Sequence, residues 1–199
     1  MFETDEPKRT YVSVINSHFV IKVGAGEGAE RITKSGKKVF EKSFNRLVGR
    51  IVNVKKKTTE WEGKKIVSWE VKLVDNENTA VLSLNCGSTE ASSFLSILPN
   101  VSLDDEVTLN IFPYAAPGKK EHTYITIYQF GKKLDKFFTK ENLPQLKKIV
   151  FKGEERWDDT EQQAVFEKKV LELFPLVKKD EQEVPEDGVG VGNPDDLPF

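Results

Sequence analysis

Trp61 stands in the stretch KKKTTEWEGKK, with Lys55, Lys56 and Lys57 on one side and Lys64 and Lys65 on the other. An aromatic ring among ammonium groups at a polar turn suits single-stranded nucleic acid. There, cations track the phosphates and rings stack on bases, each worth about 1–3 kcal/mol. A second stretch, PYAAPGKKEH, repeats the chemistry with Tyr114, Lys119, Lys120 and His122. Arg46 and Arg50, just upstream of the lysine run, are candidate phosphate contacts, although a solvated sheet face accounts for them equally well. In HTYITIYQF, alternation puts Ile125 and Ile127 on one face and Tyr124, Thr126, Tyr128 and Phe130 on the other, an aromatic stripe opposite an aliphatic one. Tyr124 and Tyr128 are therefore candidate base or sugar contacts, with packing under a helix as the plain alternative. Trp69 alternates with Val67, Val71 and Leu73 and reads as core. Trp157, beside acids, reads as structural.

Catalytic signatures are thin. Two histidines, His18 and His122, and the single Cys86 do not make a zinc site of any usual spacing. Asp104, Asp105 and Glu106 could hold Mg²⁺ for phosphoryl chemistry, but they precede a strand, where acids commonly mark a turn. Gly87-Ser88 is no nucleophile elbow. The expectation is a binding protein that is not an enzyme and uses neither cofactor nor metal.

The formal charge of −2 conceals segregation. Residues 180–199 carry seven acids and no base, which leaves residues 1–179 with 30 bases against 25 acids, and residues 31–65 hold twelve bases against three acids. A basic body with an acidic tail points to a polyanionic partner for the body and a recruiting or competing role for the tail. One cysteine excludes an internal disulfide framework, and neither an apolar leader nor a membrane-length apolar window is present, so a cytoplasmic, soluble protein is expected.

The elements that must position these residues read as mainly β. YVSVINSHFVIKV (11–23) suggests two extra N-terminal strands turning at Asn16-Ser17, and GAGEGAE (24–30) a flexible loop. Strands follow at 46–58, 65–74 and 79–86, with TEWEGK as a turn. A short helix behind Ser88 comes next, then strands at 105–114 and 122–130. Three meandering strands, a helix and two more strands is the order of the OB-fold, a five-stranded, partly open barrel. Beyond Phe130 the pattern turns helical, with a capping box at Thr160 and Gln163 and an apolar face of Phe166, Val170, Leu173 and Val177 ending near Pro175. The division expected is an OB-fold domain over 1–179 and a disordered, acidic interaction tail over 180–199.

That tail ends Asp195, Asp196, Leu197, Pro198, Phe199. Together with a basic OB domain bearing aromatic loops, it resembles the single-stranded DNA-binding proteins of bacteria and their phages, whose tails finish in acids, an apolar residue, proline and phenylalanine. The N-terminal strands, the C-terminal helix and the lack of a long Gly/Gln-rich linker depart from the minimal bacterial form and favour a phage-encoded one. The resemblance implies a protein that coats single-stranded DNA without strong sequence preference in replication, recombination and repair. It also implies that Asp195 to Phe199 recruit partner enzymes, with self-association left open. The alternatives are an RNA-binding OB-fold chaperone, a metal-dependent nuclease or polymerase accessory subunit, and an interaction scaffold whose lysines bind nothing specific.

Overall fold

The structure, a computed structural model, describes residues 9–33, 36–61, 63–76, 78–118, 120–151 and 153–175, with residues 61, 151 and 154 described by their backbone alone. Lys119, Val177 and the whole segment 180–199, including Asp195, Asp196, Leu197, Pro198 and Phe199, lie outside the described residues, as does the side chain of Trp61.

The chain is mainly β. Strands β1 (Arg9–Ile15) and β2 (His18–Val23) form an antiparallel hairpin. Its two turn residues, Asn16 and Ser17, both adopt positive φ (48° and 62°), the primed turn whose twist matches that of paired strands. β3 (Ala29–Ile32) and β4 (Lys38–Phe44) follow, then β5 (Arg46–Trp61), β6 (Lys64–Asp75) and β7 (Asn78–Asn85) as a meander. Helix α1 (Thr89–Ile97) leads to β8 (Val107–Tyr114), β9 (His122–Gln129) and the short β10 (Lys132–Lys133). A separate hairpin, β11 (Lys147–Phe151) with β12 (Glu154–Asp158), precedes helix α2 (Thr160–Leu173).

Ten strands form one sheet in the order β10-β9-β8-β5-β6-β7-β1-β2-β4-β3. This differs from the expected five-stranded barrel. The outer edge of β7 is taken by β1 in parallel, from Arg9 opposite Thr79 to Val12 opposite Leu82, and the ladder does not close. The N-terminal strands are thus part of the sheet, satisfying backbone groups that a bare β7 edge would expose. The sheet still encloses a single core. Val12 and Phe19 from the first hairpin join Trp69, Val71, Leu73, Leu82 and Leu84 of the meander, Leu109 and Ile127 of the last strands, Phe94 of α1, and Phe166 and Val170 of α2. The hydroxyls of Ser17 and Thr123, hydrogen-bonded at 2.8 Å, draw the first hairpin's turn against the start of β9.

Three further expectations are corrected. The loop GAGEGAE ends early, since Ala29 and Glu30 already belong to β3; a Cβ on Gly28 would lie 2.4 Å from the Glu41 carbonyl oxygen, so only glycine permits that approach. The lysine-rich KKKTTEWEGKK is not a loop. Backbone pairing continues from Lys55 opposite Glu70 to Trp61 opposite Lys64, because Thr58 and Thr59 favour extended backbone and Gly63 (φ 71°) allows a tight turn. Residues 131–158, expected to be helical, form β10, an irregular segment and the β11–β12 hairpin. Pro144 and the β-branched pair Ile149-Val150 oppose a helix there.

The helices begin at identifiable caps. Ser88 Oγ accepts from the Ala91 amide at 3.2 Å. The cap of α2 falls one residue before the expected Thr160, at Asp159, whose carboxylate accepts from Gln163 Nε2 at 2.8 Å. Asp158 instead accepts from the Thr160 hydroxyl and amide, which hold its carboxyl below the usual range. Among the described residues, no helix is long and apolar enough to cross a membrane.

Candidate nucleic-acid interface

The candidate residues separate along β5. At its start, Arg46 is exposed and pairs in register with Asn110 of β8, which in turn faces Thr126 of β9. Two residues further along β8, Phe112 lies opposite Tyr124, and Tyr114 lies opposite His122. The rings meet: Phe112 and Tyr124 are stacked with centroids 6.0 Å apart, and Tyr114 stands edge-on to Tyr124 at 6.1 Å. Tyr114 is 57% exposed and Phe112 38%, so the cluster presents ring surface to solvent instead of burying it. Arg50 is exposed four residues beyond Arg46, and Tyr128 is half-buried between Thr108 and Lys133. Lys120 is exposed on the β8–β9 connection.

Phe112 was missed by the sequence reading. Its signal was present: in VTLNIFPY, Val107, Leu109 and Ile111 form the inward set, which leaves Phe112 as the apolar residue on an otherwise polar outward set. Asn110 on this outward set has a buried Oδ1 with no hydrogen-bond partner in the structure. Phe130, expected on the aromatic stripe of the fifth strand, lies just beyond the end of β9. It occupies the two-residue turn between β9 and β10 with φ 53°, next to Gly131 at φ 72°, and is 74% exposed. A bulky residue in the left-handed region is strained, and here the ring gains little burial in return. Lys132 and Lys133 follow it directly, both exposed.

The other cluster lies at the far end of β5, fifteen steps from Arg46 and, at roughly 3.3 Å per residue, about 50 Å of strand contour away. Lys64 and Lys65 are exposed there, and the Trp61 backbone pairs with Lys64. Among the described residues, no third strand pairs with the ribbon along 58–61 and 64–66. Nearer its base the lysines are engaged. Lys55 and Lys57 share the Glu70 carboxylate at 3.6 and 3.0 Å. Lys56 pairs with Glu167 of α2 at 2.8 Å and lies 5.8 Å from the centroid of the buried Trp69 ring. Thus Lys56 is a structural tie between β5 and α2, and Lys55 and Lys57 are cations already partly neutralised.

Beneath this tie, the Cys86 thiol donates to Gln163 Oε1 at 3.1 Å, and burial pushes its pKa up against the opposing pull of Lys56. No group of three or more His, Cys, Asp or Glu side chains among the described residues could hold a metal ion; Ser102 Oγ donates to Asp105 at 2.7 Å, which is the turn role of that acid.

No family model, curated protein or solved structure matches the chain.

Proposed function

We propose that this chain binds single-stranded nucleic acid, with single-stranded DNA as its principal ligand, and acts as a non-catalytic coat that tolerates most sequences. The observation that carries the reading is the exposed ring cluster of Phe112, Tyr114 and Tyr124, set on paired strands beside Arg46. Rings held open on a rigid sheet next to a guanidinium offer stacking without sequence readout and a nearby phosphate contact. Duplex DNA, with its bases already stacked and paired, cannot use those rings.

The connectivity supports the same reading. The meander β5-β6-β7, then α1, then β8-β9, with β5 pairing both β6 and β8, follows the strand order of an OB unit. In this proposal β1 occupies the β7 edge, where closure by a fifth strand would otherwise fall. The lysine-bearing ribbon extends the phosphate path, and the acidic segment 180–199 recruits replication, recombination or repair proteins, as in the single-stranded DNA-binding proteins the sequence resembles. A phage-encoded protein of that kind, acting in the host cytoplasm, fits best.

Titration of labelled oligo-dT and of a matched duplex, from about 50 to 200 mM salt, tests this. Single-strand affinity should exceed duplex affinity and fall linearly on a log–log plot with salt, and Tyr114→Ala should weaken it about five- to a hundredfold without altering the slope. Equal binding of the two ligands, or an unaffected Tyr114→Ala, would remove the ring cluster from the function.

A further inference from the structure

Beside the exposed rings, a cavity of about 270 Å³ opens between α1, β9 and the chain that follows β10. Its lining includes Phe112, Tyr124, Thr126, Lys133, Asp135 and Lys136. Its walls are fastened by backbone hydrogen bonds. Leu134 N–H donates to the Ile127 carbonyl at 2.8 Å, and the amides of Phe137 and Phe138 both donate to the Ser96 carbonyl, at 2.8 and 3.1 Å. Asn100 Nδ2 donates to the Asp135 carbonyl at 3.0 Å, and Ile125 N–H donates to Ser93 Oγ at 2.9 Å. A site held in this way is largely formed before a ligand arrives, which lowers the ordering cost of binding.

We propose that this cavity receives one unpaired nucleobase of a bound strand, stacked against Phe112 and Tyr124, with its flanking phosphates on Lys133 and Lys136 and its exocyclic amino group donating to the Asp135 carboxylate. The inference rests on the single-strand reading and adds a specificity element to it. The volume is close to the lower end of small-ligand pockets, about 300 Å³, which suits one base and not a base pair. Two ammonium groups against one carboxylate leave the lining net positive, as an anionic strand requires.

Asp135 is the informative residue. Its carboxylate has no hydrogen bond or ion pair among the described residues, so it is available as an acceptor. An acceptor-only group next to a polyanion is repulsive unless a donor reaches it. Cytosine, adenine and guanine carry exocyclic amino groups that can reach a carboxylate, whereas the one donor on thymine's pairing edge, N3–H, is flanked by two carbonyl oxygens that a carboxylate repels. One register position in an otherwise tolerant strand should therefore disfavour thymine.

The test uses the full chain and fluorescence anisotropy with labelled dT15 and the same oligonucleotide carrying one central dC. The single dC should tighten binding about fivefold, the low end for a base contact, and further dC residues should add only a statistical gain. Asp135→Leu, at an exposed position, removes the acceptor and its repulsion together, so it should bind both oligonucleotides alike and dT15 more tightly than the wild type does. If wild-type protein binds the two equally, or if the preference survives in Asp135→Leu, the pocket assignment is overturned while single-strand binding stands. If neither oligonucleotide binds, both readings fall together.

Discussion

Glu70 holds two lysines on the ribbon, and replacing it should strengthen nucleic-acid binding while slightly weakening the fold. Its carboxylate lies 3.6 Å from Lys55 Nζ and 3.0 Å from Lys57 Nζ, so these three side chains together carry two cations and one anion. Glu70→Gln keeps the shape and raises the local charge by one. The structural cost is small because both lysines are about half exposed and well screened. About 0.5–1 kcal/mol is lost, a fall in melting temperature of roughly 1–4 °C for a chain of this size. The binding gain is read from salt dependence. Each additional phosphate neutralised on a single strand steepens the log K against log salt line by about 0.7. The ratio of mutant to wild-type affinity for oligo-dT should then grow about two- to threefold for each fourfold dilution of salt, and about sevenfold if both lysines gain a phosphate. Anisotropy titrations at four salt concentrations, with a thermal melt of each protein, measure both quantities. Parallel log–log lines for the two proteins would refute the reasoning and show that the strand does not run along the ribbon, leaving the β8–β9 face to act alone.

Phe130→Asn should relieve the left-handed strain in the β9–β10 turn, raising the melting temperature by about 2–4 °C, while weakening oligonucleotide binding; a stabilised variant with unchanged affinity would make the ring irrelevant to binding. Gly28→Ala drives a methyl group into the Glu41 carbonyl and should cost about 1–3 kcal/mol, seen as a lower urea midpoint together with loosening of the Arg31–Glu41 pair, whose contacts are both 2.8 Å. The Cys86 thiol, with its pKa raised by burial, should alkylate more slowly than a free thiol near neutral pH, and its rate should keep climbing at pH values where an exposed thiol has levelled off. Because that pKa is higher in the folded than in the unfolded chain, its contribution to stability is complete below the unfolded thiol pKa and declines as pH rises through the folded value.

Elements with a strong local pattern could be read directly. The alternation of Val67, Trp69, Val71 and Leu73 marked the buried face of β6, and the asparagine–serine pair at 16–17 marked a turn, because both signals depend on neighbours two residues apart or fewer. What escaped was non-local. Nothing near Arg9 announces that β1 will lie parallel to Thr79–Leu82, since a parallel partner is fixed by the remaining open edge and not by a turn. The ribbon was mistaken for a loop because lysine, glutamate and tryptophan in KKKTTEW look solvated, and a two-stranded ribbon with both faces wet has no hydrophobic alternation to reveal it. The ring cluster was half visible. Tyr114 and Tyr124 stood out by chemistry, but the partnership with Phe112 depends on the β8–β9 register, and the cavity beside it depends on how the chain after β10 is pinned to α1.

The parallel seating of β1 also sets a schedule. Arg9 meets Thr79 seventy residues later, and Ser17 meets Thr123 more than a hundred residues later. At roughly 5–20 residues per second of synthesis, the first hairpin waits about 4–14 s before its partner strand exists. During that wait, Val12 and Phe19, fully packed in the finished molecule, have no core to enter. Pairings of such long sequence separation are also the slowest to form once the chain is complete. The β1–β2 hairpin, made well before its partners, is thus among the last elements to be locked, and the interval before it docks is when a nascent chain is most exposed to wrong pairing at the β7 edge.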